Sequence, residues 1–80
     1  MYEEIEQKVI GIAKSKAKIS EELNGDTVLE SILNSITYIQ FLIACEDEFN
    51  IEIDDDQLDM ETMRSIKDVV LYIQKVCPKN

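Results

Sequence analysis

The sequence predicts an all-α fold: a small four-helix bundle of three main helices and one short helix, with a long first loop. Three observations lead there. Apolar residues recur at steps of three and four in three separate stretches. Helix-start and helix-stop residues bracket those stretches. The one alternating stretch, Asn50-Ile51-Glu52-Ile53, is too short for a sheet of its own. Eighty residues make one domain, 1–80, with a modest core.

The first helix is expected over residues 2 to about 18. Tyr2, Ile5, Val9, Ile12, Ala13 and Ala17 follow helical spacing, and most of the charged residues fall on the other side. The acids come early and the lysines late, as the helix dipole favours. Gly11 costs about 1 kcal/mol relative to Ala in mid-helix, but the periodicity continues on both sides. Residues 19–34 form the long connection. Asn24-Gly25-Asp26-Thr27 is its turn, and Val28, Leu29, Ile32 and Leu33 are expected to fold back on the core, with a short helical turn near 28–32.

The second helix runs from Ser35 to Phe49 behind Asn34, a good N-cap. Ile36, Ile39, Ile43 and Phe49 mark one stripe, and Phe41, Leu42 and Cys45 widen it. So broad an arc means either a central helix or a face left for a partner. Asp54-Asp55-Asp56 then caps the short helix, over 55–61, with Leu58 facing inward. Thr62, Met63 and Arg64 form a turn, and Ser65 with Asp68 resembles a capping box. Ile66, Val69, Val70, Ile73 and Val76 give the last helix its stripe, and Pro78 falls beyond its end.

Composition narrows the function. Seventeen acidic residues against eight basic leave a net charge of −9. Nucleic acid and anionic membrane surfaces need Lys and Arg, so neither is an expected partner. Basic protein surfaces are. No apolar run approaches the length of a membrane span, and Met1-Tyr2-Glu3-Glu4 lacks a secretory leader pattern, so the expected location is the cytoplasm. Cys45 and Cys77, without any His, fall short of a metal's four ligands. Cys45 reads as a core residue, and a bridge to Cys77 is not expected in that compartment.

Catalytic chemistry is poorly supplied. The absence of His removes Ser–His and Cys–His pairs, and there is no Gly-rich phosphate loop. An EF-hand loop counted from Asp54 puts Leu58, Asp59 and Ser65 where a ligand, the turn glycine and the bidentate Glu belong, so calcium is not expected. A small acidic bundle offers little desolvation to split the pKa values of paired carboxylates. The chain is not expected to be an enzyme.

One serine stands apart. Ser35 sits where a helix offers free N–H groups, which stabilise negative charge. The stretch Asn34-Ser35-Ile36, followed by Glu46-Asp47-Glu48-Phe49, resembles the carrier-protein family. That family includes acyl carrier proteins and the peptidyl carrier domains of peptide synthetases. Its hallmark is Asp-Ser-Leu at the start of the second helix and an acidic run ending in Phe. Ile51-Glu52-Ile53 and Ser65-Ile66-Lys67-Asp68-Val69-Val70-Leu71-Tyr72-Ile73 are also similar to the family.

The resemblance implies that a phosphopantetheinyl transferase places 4'-phosphopantetheine covalently on Ser35. The arm's thiol then carries acyl or aminoacyl groups as thioesters between loading and chain-processing enzymes of fatty-acid, polyketide or non-ribosomal peptide type. It implies a monomer. Ile36, Ile39 and Ile43 would face those enzymes, and Glu46, Asp47 and Glu48 would meet their basic docking surfaces. Read from the residues alone, the isoleucines fit a core stripe equally well.

Asn34 replaces the family's usual Asp, Ile36 its Leu, and Thr37 and Gln40 stand where many fatty-acid carriers are acidic. The neutral positions fit a specialised polyketide, peptide or stand-alone aminoacyl carrier as well or better. Ser31 is a competing attachment site, but lies four residues too far from Phe49 for the family spacing. The alternative to a carrier is a non-enzymatic acidic helical interaction module without a prosthetic group.

Overall fold

Helix α1 (Tyr2–Ala17) buries Ile5, Val9 and Ala13, one residue per turn along a single face. The computed structural model describes residues 2–54 and 62–76, and within them α1 is followed by α2 (Ser35–Phe49) and α3 (Ile66–Val76). One 3₁₀ turn (Leu29–Ser31) interrupts the first connection, at the place expected for a helical turn. Helix α1 packs against both of the others. No strand occurs among the described residues; the single antiparallel bridge pairs Val28 with Ser65. The short helix expected over 55–61, with Leu58, Asp55 and Asp56, lies outside the described residues, as do Cys77 and Pro78.

Helices α1 and α2 end alike. Lys18 (φ 57°) and Asn50 (φ 55°) take the left-handed conformation without being glycine. The next N–H then reaches back: Ile19 donates to the Lys14 carbonyl at 3.2 Å, and Ile51 to the Glu46 carbonyl at 3.1 Å. These bonds close the last turn, the Glu46 carbonyl accepting from the Asn50 N–H as well, and turn the chain sharply.

The long connection is pinned rather than loose. Its turn closes through the Asn24 side chain, which accepts from the Asp26 N–H at 2.8 Å, and through Thr27 Oγ1, which accepts from the Asn24 N–H at 3.0 Å. It then runs beside the entry to α3. Leu29 N–H donates to the Arg64 carbonyl at 2.7 Å, Ile66 N–H to Thr27 at 3.0 Å, and Lys67 N–H to Gly25 at 2.9 Å. A Cβ on Gly25 would meet the Glu6 carboxylate at 3.2 Å and the Lys67 Cβ at 3.4 Å, so glycine suits this close approach. Leu29 and Leu33 are buried as expected. Val28 is not: it is 48% exposed, because the bridge to Ser65 uses its backbone and turns its side chain outward.

The core joins Val9 from α1, Leu29 from the connection, Tyr38, Phe41, Leu42 and Cys45 from α2, and Ile66, Val69, Val70 and Ile73 from α3. Each large apolar side chain so buried contributes about 1.5–3 kcal/mol. Val76, expected on the α3 stripe, is exposed where the helix ends. The Ser65–Asp68 box forms as expected: Asp68 accepts from the Ser65 N–H at 3.2 Å, and Ser65 Oγ from the Asp68 N–H at 3.3 Å. The same carboxylate also accepts from the Arg64 N–H at 3.1 Å.

Candidate functional site

The start of α2 is built by a reciprocal cap. Asn34 is extended (φ −96°, ψ −176°), and its side-chain oxygen accepts from the Thr37 N–H at 2.9 Å. Thr37 Oγ1 accepts in return from the Asn34 N–H at 2.8 Å. The Tyr38 N–H donates to the Asn34 carbonyl at 2.8 Å and closes the first turn. Ser35 is therefore the first helical residue, and the N–H groups of Ser35 and Ile36 stay at the open end of the helix. No acid stands in this first turn to repel an anion.

The two serines differ. Ser35 is exposed, and its hydroxyl has no hydrogen-bond partner among the described residues. Ser31 is also exposed, but its hydroxyl donates to the Val28 carbonyl at 2.6 Å, within the 3₁₀ turn. An uncommitted hydroxyl beside free N–H donors can take a phosphodiester, so the residues present fit a phosphate-linked group.

Ile36, Ile39 and Ile43 are 69%, 39% and 51% exposed and line the solvent side of α2. The buried stripe of the helix consists of Tyr38, Phe41, Leu42 and Cys45 instead. Tyr38 was not in the expected core; its steps of three to Phe41 and four to Leu42 were the available signal.

The three acids beyond are not equivalent. Glu46 is half-buried, and its carboxylate accepts from the Ile53 N–H at 2.7 Å, tying the chain after α2 back to the helix. Tyr72 on α3 receives the next tie, accepting from the Asp54 N–H at 3.2 Å. Glu48 pairs with Lys8 of α1 at 3.3 Å. Asp47 is exposed, with no partner among the described residues.

Among the described residues no Asp, Glu, Lys or Arg side chain is buried; the buried titratable side chains are the Tyr38 phenol and the Cys45 thiol. Nor do three or more His, Cys, Asp or Glu side chains group there into a metal site. Cys45 is buried with a free thiol, and burial, with Glu48 and Glu46 adding to it, pushes its pKa from 9.0 up to about 12. That is the opposite of a reactive cysteine. A shallow groove between α1 and α2 is lined by Lys8, Gly11, Ile12, Ser15, Lys16, Ala44 and Glu48, away from Ser35. No helix among the described residues is long and apolar enough to cross a membrane.

Comparison with known proteins bears on the chain as a whole. Residues 7–73 match the family model described as a phosphopantetheine attachment site. The chain is 34% identical over 73 residues to an acyl carrier protein of Desulforapulum autotrophicum, covering 79% of this chain and 92% of that protein. It is 33% identical over 61 residues to one of Helicobacter hepaticus, covering 76% and 67%. A match to one of Thermobifida fusca, 37% identical over 43 residues, covers 54% of this chain and 52% of that relative, about half its length.

Proposed function

This chain belongs to the phosphopantetheine-attachment family of carrier proteins, and from that premise we propose that Ser35 is the residue that bears the arm. The observation that carries the proposal is the Ser35 hydroxyl, exposed and uncommitted at the open end of α2. The family's group is 4'-phosphopantetheine, covalently held. A phosphopantetheinyl transferase would supply it from coenzyme A. The Ser35 Oγ–P bond forms, the pyrophosphate P–O bond breaks, and adenosine 3',5'-bisphosphate leaves. The serine proton passes to a base on the transferase. Once attached, the group supplies a terminal thiol that holds acyl or aminoacyl cargo as a thioester.

The chain's own residues then position and present. The Ser35 and Ile36 N–H groups and the helix dipole stabilise the phosphodiester. Ile36, Ile39 and Ile43 offer an apolar strip to loading and chain-processing enzymes. Asp47, the acid left free by internal contacts, meets their basic surfaces. The chemistry belongs to those enzymes; this chain carries. The neutral first turn fits partners of polyketide, peptide or aminoacyl type as well as or better than strongly basic fatty-acid ones.

The test is an intact-mass measurement after incubation with coenzyme A and a broad-specificity transferase. The expected result is a gain of one phosphopantetheine, lost in Ser35→Ala and kept in Ser31→Ala. A wild-type chain that gains nothing, or a Ser35→Ala chain that still gains, overturns the assignment. Partners that bind unmodified wild type and Ser35→Ala equally would point instead to an interaction module without the arm.

A further inference from the structure

Asn34, Ser35 and Thr37 all belong to the residue types that cap helices. Which of them caps decides where the Ser35 hydroxyl goes. Were Ser35 the cap, its Oγ would accept from the N–H two or three residues on, and the helix would begin at Ile36. The hydroxyl would then be turned onto the backbone, as the Ser31 hydroxyl is on Val28. The structure shows the other outcome. Thr37 Oγ1 lies 2.8 Å from the Asn34 nitrogen, 3.0 Å from its side-chain oxygen and 3.2 Å from its carbonyl oxygen. That hydroxyl accepts from the Asn34 N–H and shares its one proton between two Asn34 oxygens, and Asn34 takes the Thr37 N–H that a Ser35 cap would use.

We propose that the Asn34–Thr37 box keeps the Ser35 hydroxyl uncommitted, and that Thr37 is a positioning residue for its modification. The role in modification rests on Ser35 being the attachment residue; the role in capping does not. Thr37→Val keeps the shape and β-branching of the side chain and removes the hydroxyl. The cap then passes in part to Ser35, and the transferase meets fewer chains with a free nucleophile. Thr37→Ser retains the hydroxyl and restores the box.

The experiment has two arms on the full chain. In the first, NMR of the unmodified protein follows the Ser35 Cβ shift and the exchange of the Asn34 amide. Thr37→Val is expected to move the Ser35 shift toward that of a capping serine and to speed Asn34 exchange, with Thr37→Ser close to wild type. In the second, transferase kinetics are measured where circular dichroism shows every variant fully folded. There kcat/KM is expected to fall ~2- to 30-fold in Thr37→Val, the range that loss of a helix cap sets, and to recover in Thr37→Ser. A role in stability alone would lower Tm and leave the rate on folded protein unchanged. An unmoved Ser35 shift in Thr37→Val, or a wild-type rate in that variant, overturns the inference. A wild-type chain that takes no arm removes Ser35 as attachment residue, and the NMR arm still judges the box.

Discussion

At the scale of the residue, the chain separates groups that look alike in sequence. Ser31 and Ser35 share similar neighbours, yet one hydroxyl is bonded to its own turn and the other is free. Cys45 is the inert extreme. Its thiol ionises nearer 9.0 in the unfolded chain and holds its proton to about 12 in the folded one. Its contribution to stability is complete below about 9 and is lost as pH rises from there toward 12. Two measurements check this. Iodoacetamide should label native Cys45 at pH 8 far more slowly than the urea-unfolded chain. Cys45→Ala should flatten the fall of unfolding free energy across that alkaline window. Gly11 offers a change of opposite sign. It lies within α1 with no left-handed φ, and a Cβ there meets nothing within 4 Å. Gly11→Ala should therefore stabilise the fold by ~0.5–1 kcal/mol, read from the urea midpoint.

At the scale of the element, α2 divides into a neutral leading half and an acidic trailing half with distinct duties. Glu46 serves the fold: Glu46→Gln weakens a charge-assisted bond to the Ile53 N–H and should cost ~1 kcal/mol, read from chemical unfolding. Asp47→Asn should leave stability nearly unchanged but slow association with a basic partner, an effect that fades with added salt. Reversal of those two outcomes would mean the acids had been assigned the wrong way round. The sequence shows why this division was only half legible. The bounds of α2 followed from Asn34 and the run to Phe49, since caps and periodicity are local signals. The side of α2 facing the core was not, because Ile36, Ile39 and Ile43 satisfy the same spacing as Tyr38, Phe41 and Cys45. Only packing against α1 and into the shared core breaks that tie. The Glu46 tie needs the chain to turn at left-handed Asn50, a long-range fact that no residue pattern announces.

At the scale of the whole molecule, the net charge of −9 favours approach to basic surfaces, and under the proposed function the exposed apolar strip of α2 would supply the grip. The all-α class was legible because three stripes without a sheet have few ways to bury themselves. The proposal of Ser35 as the attachment residue rests mainly on family likeness, since a serine at a helix start is common and its free hydroxyl is visible only in three dimensions. The fastening of the first connection to the entry of α3 has a further consequence. Bonds to the Gly25 and Thr27 carbonyls and from the Leu29 N–H turn one long span into two short tethers, one before the asparagine turn and one between the 3₁₀ turn and Asn34. Extra residues should thus be absorbed very unevenly along it. A Gly-Ser-Gly insertion after Glu21 lengthens a tether and should barely move the melting temperature, for ring closure grows only slowly with length. The same triplet after Thr27 would push Leu29 out of register with Arg64 and empty its seat, and should unfold much of this small domain.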